Sequence, residues 1–418
     1  SNEKIDRAYQ ILKEIADQNS LIKNGFIVLD NKLIKKDILI ENEFIKKIDT
    51  QIECDCETVD AKGCLVMPGA VDVHVHLREP GFEYKETIKT GTLSASCGGV
   101  TSVMSMPNLK PCPDSLKHLK VQLDIIKRDA VVNVYPFGSV TVNEEDKELS
   151  NIDEIHEYVY GLSDDGRGVN NLELLEEAMK LAKKYNLTIA SHAEDNIYKY
   201  APAGEYVAVR REIELAKKIG CKYHFCHMST KESFEAIRKA RLEGFTNITC
   251  EVAPHHLVLN ETQITDANFK MNPPLRSEEN RLATVEALLD GTAQMIASDH
   301  APHSVLEKSL EYDKCPNGII GLETMIPIIY TEFVKKGLID LNRFLDLFVY
   351  NPIKIFNLPK RDLKEGSIAD IAILDIENKY TYKKENIVSM GKNSPFIGNS
   401  YYGFNKVTLV NGKIVYKK

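Results

Sequence analysis

The stretch Val71-Asp72-Val73-His74-Val75-His76-Leu77-Arg78-Glu79-Pro80-Gly81 decides how this chain is read. Val71, Val73 and Val75 alternate with Asp72, His74 and His76, the period of a β-strand, and Pro80-Gly81 supplies a stop. Successive strand side chains point to opposite faces, so His74 and His76 share one face, roughly 7 Å apart along the strand. Two imidazoles side by side at a strand end can grip one metal ion. Taken alone, such a pair is more often two satisfied buried histidines. Residues farther along the chain tip the balance.

Apolar strand-like runs recur at 71–76, 100–104, 131–137, 158–162, 188–191, 222–226, 247–252 and 295–298. Helix-like segments lie between them, as at 171–185, 207–219 and 231–243. Eight strands separated by helices predict a parallel sheet, and eight is the number that closes a (β/α)8 barrel. The ends of the chain read differently. Short β runs fill 21–67, where Asn24-Gly25 predicts a hairpin turn, and return at 371–374 and 407–416, with a second Asn-Gly. The two ends together predict one small β-sandwich module. The expected division is a helix within 1–18, the module over 19–67 and 359–418, and the barrel over 68–358. The opening helix rests on apolar residues at helical spacing over 3–17.

At 418 residues, 43% hydrophobic and 27% charged, the chain has the size and composition of a soluble barrel with an added module. A net charge of −8 argues against nucleic acid as a partner. No apolar run approaches a membrane span and no signal pattern opens the sequence, so a cytoplasmic location is expected. Nine cysteines at irregular spacing fit free thiols. Cys54 and Cys56 have no second pair at ligand spacing and are not expected to hold metal.

In a (β/α)8 barrel the chemistry sits at the C-terminal strand ends. Those ends carry His74 and His76, Asn108, the pair Asp164-Asp165, His192, His227, and finally Asp299 with His300 and His303. Four imidazoles and two carboxylates on one rim suit a two-metal hydrolytic site, with coordination positions left for water. Spacing alone does not choose between Asp164 and Asp165.

The ordered set His-x-His, Asp, His, His, Asp resembles the amidohydrolase superfamily. Fuller motifs are similar to those of the bacterial-type dihydroorotase family: Asp72-Val-His-Val-His-Leu-Arg-Glu-Pro-Gly81, Met106-Pro-Asn108, Ser163-Asp-Asp-Gly166, His227-Met-Ser-Thr-Lys-Glu232, Asn272-Pro-Pro-Leu-Arg276, Ala297-Ser-Asp-His-Ala-Pro-His303 and Gly321-Leu-Glu-Thr324. The likeness runs from about residue 20 to the end. Two departures stand out. Asp165 occupies the place where many relatives of the superfamily carry a carboxylated lysine, as it does in the close dihydroorotases. The stretch between His192 and His227 is shorter than in many relatives. The resemblance implies one or two Zn²⁺ ions, with His74, His76 and Asp299 on one, His192 and His227 on the other, and Asp165 between them. It implies further that Arg78, Asn108 and His303 clamp a substrate carboxylate, and that Asn272, Asn317 and Gly318 contact a pyrimidine ring. Guanidinium, amide and imidazole groups all suit an anion, and Arg is the geometric match to a carboxylate. The other role open to Arg78 is a surface ion pair with Glu79 or Glu83.

The activity implied is reversible hydrolysis of L-dihydroorotate to N-carbamoyl-L-aspartate, by metal-activated water with Asp299 as general base and then acid. Segment 304–318 is expected to fold over the substrate. Two other readings stand beside this one: a cyclic amidase acting on hydantoin, dihydropyrimidine or allantoin rings, and a non-catalytic protein of the same fold serving in an assembly. A homodimer is a further expectation. Of the remaining histidines, His118 and His156 are expected in solvent and His224 against the helical layer. His255, His256 and His300 are candidates to orient the ligands. Ser298 and Cys226 lack an adjacent activating base and are not read as nucleophiles.

Overall fold

A computed structural model describes residues 19–418, and the helix expected over 3–17 lies outside the described residues. Eight parallel strands follow one another in sequence order around the barrel: Ala70–Val75, Val100–Ser105, Asn133–Ser139, Gly161–Ser163, Thr188–Ser191, Lys222–Phe225, Ile248–Val252 and Met295–Ile296. The seam between the last and first strands is closed by a single bridge from Val75 to His300 and by the hydrogen bond His76 N to His300 O, 2.9 Å. Asp72 reinforces that seam, because its carboxylate accepts from the backbone N and the hydroxyl of Ser298.

The first strand departs from strict alternation. Its register against the second strand shifts between Ala70 and Val71 and again between Asp72 and Val75. Val71 and Val73 therefore pack inside the barrel with Met104, Phe137 and Met295, whereas Val75 joins the layer between strands and helices.

The helices form because capping and apolar spacing agree. Asn171 caps Leu172–Lys184 by accepting from the amides of Glu173 and Leu174, and Leu175, Ala178, Met179 and Ala182 bury one stripe. Burying a side chain such as Leu175 or Met179 stabilises the fold by about 1.5–3 kcal/mol each. Gly220 ends Pro202–Ile219 in the left-handed conformation at φ 74°.

Strands from both ends of the described chain make one eight-stranded sheet with its own core, the expected sandwich module. Its centre is the antiparallel pairing of Cys64–Pro68 with Ile371–Asp375. Asn411-Gly412 turns the hairpin between Phe404–Val410 and Lys413–Lys417, as its sequence predicts. Asn24-Gly25 does not make a turn. It is a bulge inside the single strand Asn19–Leu29, whose register slips between Ile22 and Gly25, and the turn falls at Asp30-Asn31. The left-handed φ of Asn24 (64°) serves the bulge, and a Cβ on Gly25 would collide with Val66 Cγ2. Two of the nine cysteines also differ from expectation: Cys54 and Cys56 are joined as a disulfide, while the other seven are free. Among the described residues no helix is long and apolar enough to cross a membrane.

Candidate active site

At the C-terminal rim of the barrel, strand ends bring together residues that the sequence scatters from His74 to Asp299. His74 Nε2 lies 3.3 Å from both Asp165 Oδ1 and Asp299 Oδ1. His76 Nε2 lies 3.2 Å from Asp165 Oδ2 and 3.3 Å from Asp299 Oδ1. On the other side of Asp165, its Oδ1 is 3.5 Å from His192 Nδ1 and from His227 Nε2. The result is two donor sets, His74-His76-Asp165-Asp299 and Asp165-His192-His227, with Asp165 common to both. Asp164 turns away, because the amides of Val140 and Thr141 bind its carboxylate at 2.7 and 3.1 Å.

These donors fit a cation. His74 Nε2 and Asp165 Oδ1 are buried and neither has a hydrogen-bond partner, an arrangement costly for polar atoms unless something else satisfies them. Burial opposes ionisation of Asp165 and Asp299, but the imidazoles of His74 and its neighbours outweigh it and hold both carboxylates well below their ordinary range. Burial likewise depresses His192, yet Asp165 and Glu194 raise it to about 9. A cation would replace those protons, since imidazole binds metal in its neutral form. Arg78, His227 and Asp299 also carry left-handed backbones, at φ 64°, 36° and 50°, a conformation that non-glycine residues keep only where the surroundings enforce it.

Glu251 is a site residue that the sequence reading missed. From the penultimate position of strand Ile248–Val252 its Oε1 lies 2.8 Å from His74 Nδ1 and its Oε2 2.9 Å from His224 Nε2. Burial works against its charge, but His74 and His224 hold its carboxyl down at about 2. A lone Glu inside an otherwise uncharged buried strand was the available signal. This contact corrects the expectation for His224, which lies on the inner side of its strand, against Glu251 and the ring of Phe356, rather than in the helical layer. Glu194 is a second omission: its Oε2 lies 3.4 Å from His192 Nε2, and Asn272 Nδ2 binds it at 3.2 Å.

The remaining histidines have distinct settings. His300 accepts from the amide of Gly321 and faces Glu86 at 3.5 Å. His256 Nε2 bonds the carbonyl of Pro273, and the buried Nε2 of His255 has no partner. His118 pairs with Asp114 at 2.7 Å, and His156 stacks on Tyr185 with centroids 3.7 Å apart, so both are half-buried rather than fully solvated.

A cavity of about 510 Å³ opens beside the donors, lined by every expected substrate contact: Arg78, Asn108, Asn272, His303, Asn317 and Gly318. Arg78 Nη2 is 3.3 Å from His303 Nε2 and its Nε donates to Pro302 O. Neither Glu79 nor Glu83 pairs with it, since their carboxylates accept from the amides of Ile88 and Gly81. Burial lowers Arg78 to about 10, which leaves it a cation at neutral pH. His303 Nε2 also contacts Asn317 O at 2.7 Å, and the amide of Gly318 donates to Lys270 O. Asn108 is committed on one side: its Nδ2 donates to Asp165 O at 2.6 Å and to Glu144 at 3.1 and 3.2 Å. Segment 304–318 borders the cavity through Pro316, Asn317 and Gly318. Lys308 Nζ holds it down by donating to the carbonyls of Ala267, Lys270 and Pro316.

Comparison with known proteins places the chain in a family. The model of the amidohydrolase family matches residues 65–415. A dihydroorotase of Macrococcus caseolyticus is 42% identical over 423 residues, spanning 96% of this chain and 99% of its own. One from Staphylococcus epidermidis is 42% identical over 422 residues, spanning 95% and 99%. Among solved structures, the L-hydantoinase (dihydropyrimidinase) of Arthrobacter aurescens superposes with a TM-score of 0.86 at 26% identity, over 96% of each chain. The chain belongs to the amidohydrolase family, on its dihydroorotase branch.

Proposed function

We infer that this chain is a cyclic amide hydrolase that interconverts L-dihydroorotate and N-carbamoyl-L-aspartate, the ring-closing step of pyrimidine synthesis. The supporting observation is the juxtaposition of a carboxylate shared by two imidazole-rich donor sets with a buried guanidinium in the same cavity. His74, His76 and Asp299 would hold one Zn²⁺, His192 and His227 a second, and Asp165 would bridge them. When bound, such an ion acts as a Lewis acid and makes water a nucleophile near neutral pH.

The side chains supply the rest of the chemistry. Arg78 and His303 hold the substrate's carboxylate and so place the ring amide over Asp299, while Asn108, both of whose amide hydrogens are already bonded, offers Oδ1 beside them as an acceptor. Asn272 and the backbone at Asn317 and Gly318 border the ring. Asp299 accepts the proton of the attacking water as it adds to the amide carbonyl, then delivers it to the nitrogen as the C–N bond breaks. The new carboxyl group then gives its remaining proton to Asp299 as it ionises, so ring closure, the reverse, needs Asp299 protonated at the start. Hydrolysis releases one proton net as the new carboxylate forms, so rising pH favours hydrolysis and falling pH favours closure. Segment 304–318 shields the cavity from water. The barrel, 68–358, carries this chemistry, and the module of 19–67 and 359–418 supports it.

The solved relatives named for hydantoin and dihydropyrimidine rings define the competing reading, since those rings lack the carboxylate that Arg78 would hold. The deciding experiment assays purified protein on dihydroorotate and on dihydrouracil, with metal content measured on the same sample. Turnover of dihydroorotate by a metal-bearing protein is expected. Preference for dihydrouracil would transfer the chain to the competing reading.

A further inference from the structure

The loop after the third barrel strand is shaped in an unusual way. Asn143, Glu144 and Asp146 all have left-handed backbones, at φ 51°, 55° and 58°. Asn and Asp tolerate that region, but Glu does not adopt it without surroundings that impose it. The surroundings are present. Asp114 binds the amide of Asn143 at 3.1 Å, Thr141 Oγ1 binds that of Asp146 at 3.0 Å, and the Asp146 carboxylate binds the amides of Asn170 and Asn171 at 2.9 Å each. What the loop delivers is one side chain. Glu144 is 6% exposed, and both its oxygens accept from Asn108 Nδ2.

Asn108 Nδ2 has two hydrogens. Asp165 O takes one and Glu144 the other, which fixes both the rotamer of Asn108 and the orientation of its amide. Without Glu144 the amide would keep one anchor and could rotate about it. We propose that Glu144 is a positioning residue for substrate binding: the strained 143–146 loop exists to seat its carboxyl on Asn108, and Asn108 meets the substrate in a preset orientation because of it. This rests on the reading of Asn108 as a substrate contact, made through Oδ1, the one polar atom of its amide left without a partner.

Glycine is the informative substitution. At φ 55° a glycine relieves the backbone and deletes the side chain. Glu144→Gly should therefore raise KM for dihydroorotate roughly tenfold, the scale of one lost buried hydrogen bond, with kcat within about twofold, metal content unchanged and Tm not lowered. A merely structural role would lower Tm and kcat together. Glu144→Gln keeps an acceptor and should bring KM back to within about twofold of wild type. Combined with Asn108→Ala, Glu144→Gly should add nothing to the loss from Asn108→Ala alone, because one acts through the other. Should the glycine variant not accumulate, Glu144→Met fills the volume without an acceptor and carries the same expectation for KM. An unchanged KM in Glu144→Gly or Glu144→Met, or losses that add to those of Asn108→Ala, would overturn this inference alone. An unchanged KM in Asn108→Ala would remove the substrate-contact reading, and this inference with it.

Discussion

Glu251 Oε1 lies 2.8 Å from Nδ1 of His74, both side chains wholly buried at the centre of the barrel. The contact assigns the proton of that imidazole. With Nδ1 donating to the carboxylate, the lone pair of Nε2 is left for a cation held between it and the oxygens of Asp165 and Asp299. Replacing Glu251 with Gln keeps the shape but weakens this preference. Glu251→Gln should bind its metal about 10–100-fold more weakly, read by competition with a chelator of known affinity. Wild-type affinity in this variant would remove Glu251 from the site.

Asp165 and Asp299 should separate by function. Asp165 stands in both donor sets, whereas Asp299 stands in one and is the proposed proton carrier. Asp165→Ala should lose metal, as should His192→Ala. Asp299→Asn should keep much of it and lose about 10²–10⁴-fold in kcat. Elemental analysis alongside steady-state rates checks both halves, and near-normal turnover in Asp299→Asn would end its assignment as base.

Arg78 should set substrate choice. A charge-assisted bond to an ionised group contributes about 1.5–3 kcal/mol, so Arg78→Met should cost roughly 10–100-fold in kcat/KM on dihydroorotate. Activity on dihydrouracil, already low, should change little, and metal content should hold because a guanidinium is a donor and not a ligand. Equal losses on the two rings would exclude a carboxylate clamp.

His303 should not titrate in the working range. Burial, then the charges of Arg78 and Lys85, lower it to about 3, so it is neutral in the native state at neutral pH. KM for dihydroorotate should therefore stay flat between about pH 6 and 8, with no inflection at the ordinary histidine value near 6.5. Proton counting gives the sign for stability. Between about pH 3 and 6.5 the unfolded chain binds a proton at this position that the folded chain does not. The contribution of His303 is thus complete above about pH 6.5 and is lost as pH falls through that window. A KM that changes severalfold around pH 6.5 would show a charged His303 in the clamp.

How far the sequence reached can be traced residue by residue. Strand and helix periods alone fixed eight barrel strands to within a few residues, because apolar runs of that length between helical patterns have one way to bury both faces. The strand-end rule then gathered His74, His76, His192, His227 and Asp299 before any coordinates, since in this fold chain order dictates position around the rim. Asn24-Gly25 misled, because the same left-handed φ serves a bulge as well as a turn, and only the pairing of Asn19–Leu29 with Lys32–Glu41 distinguishes them. Asp165 over Asp164 was open to spacing and came from family likeness; the structure shows the physical cause, backbone amides that occupy Asp164. Which partners Glu251, His224 and Glu144 meet was out of reach for a different reason. Their roles are contacts between distant strands and loops, His74 to Glu251 across 177 positions and Asn108 to Glu144 across 36, and side-chain direction at such crossings is set by barrel closure rather than by local pattern. The sequence by itself determined which residues stand at the rim. Tertiary packing decided which hydrogen each imidazole and amide holds, and toward what.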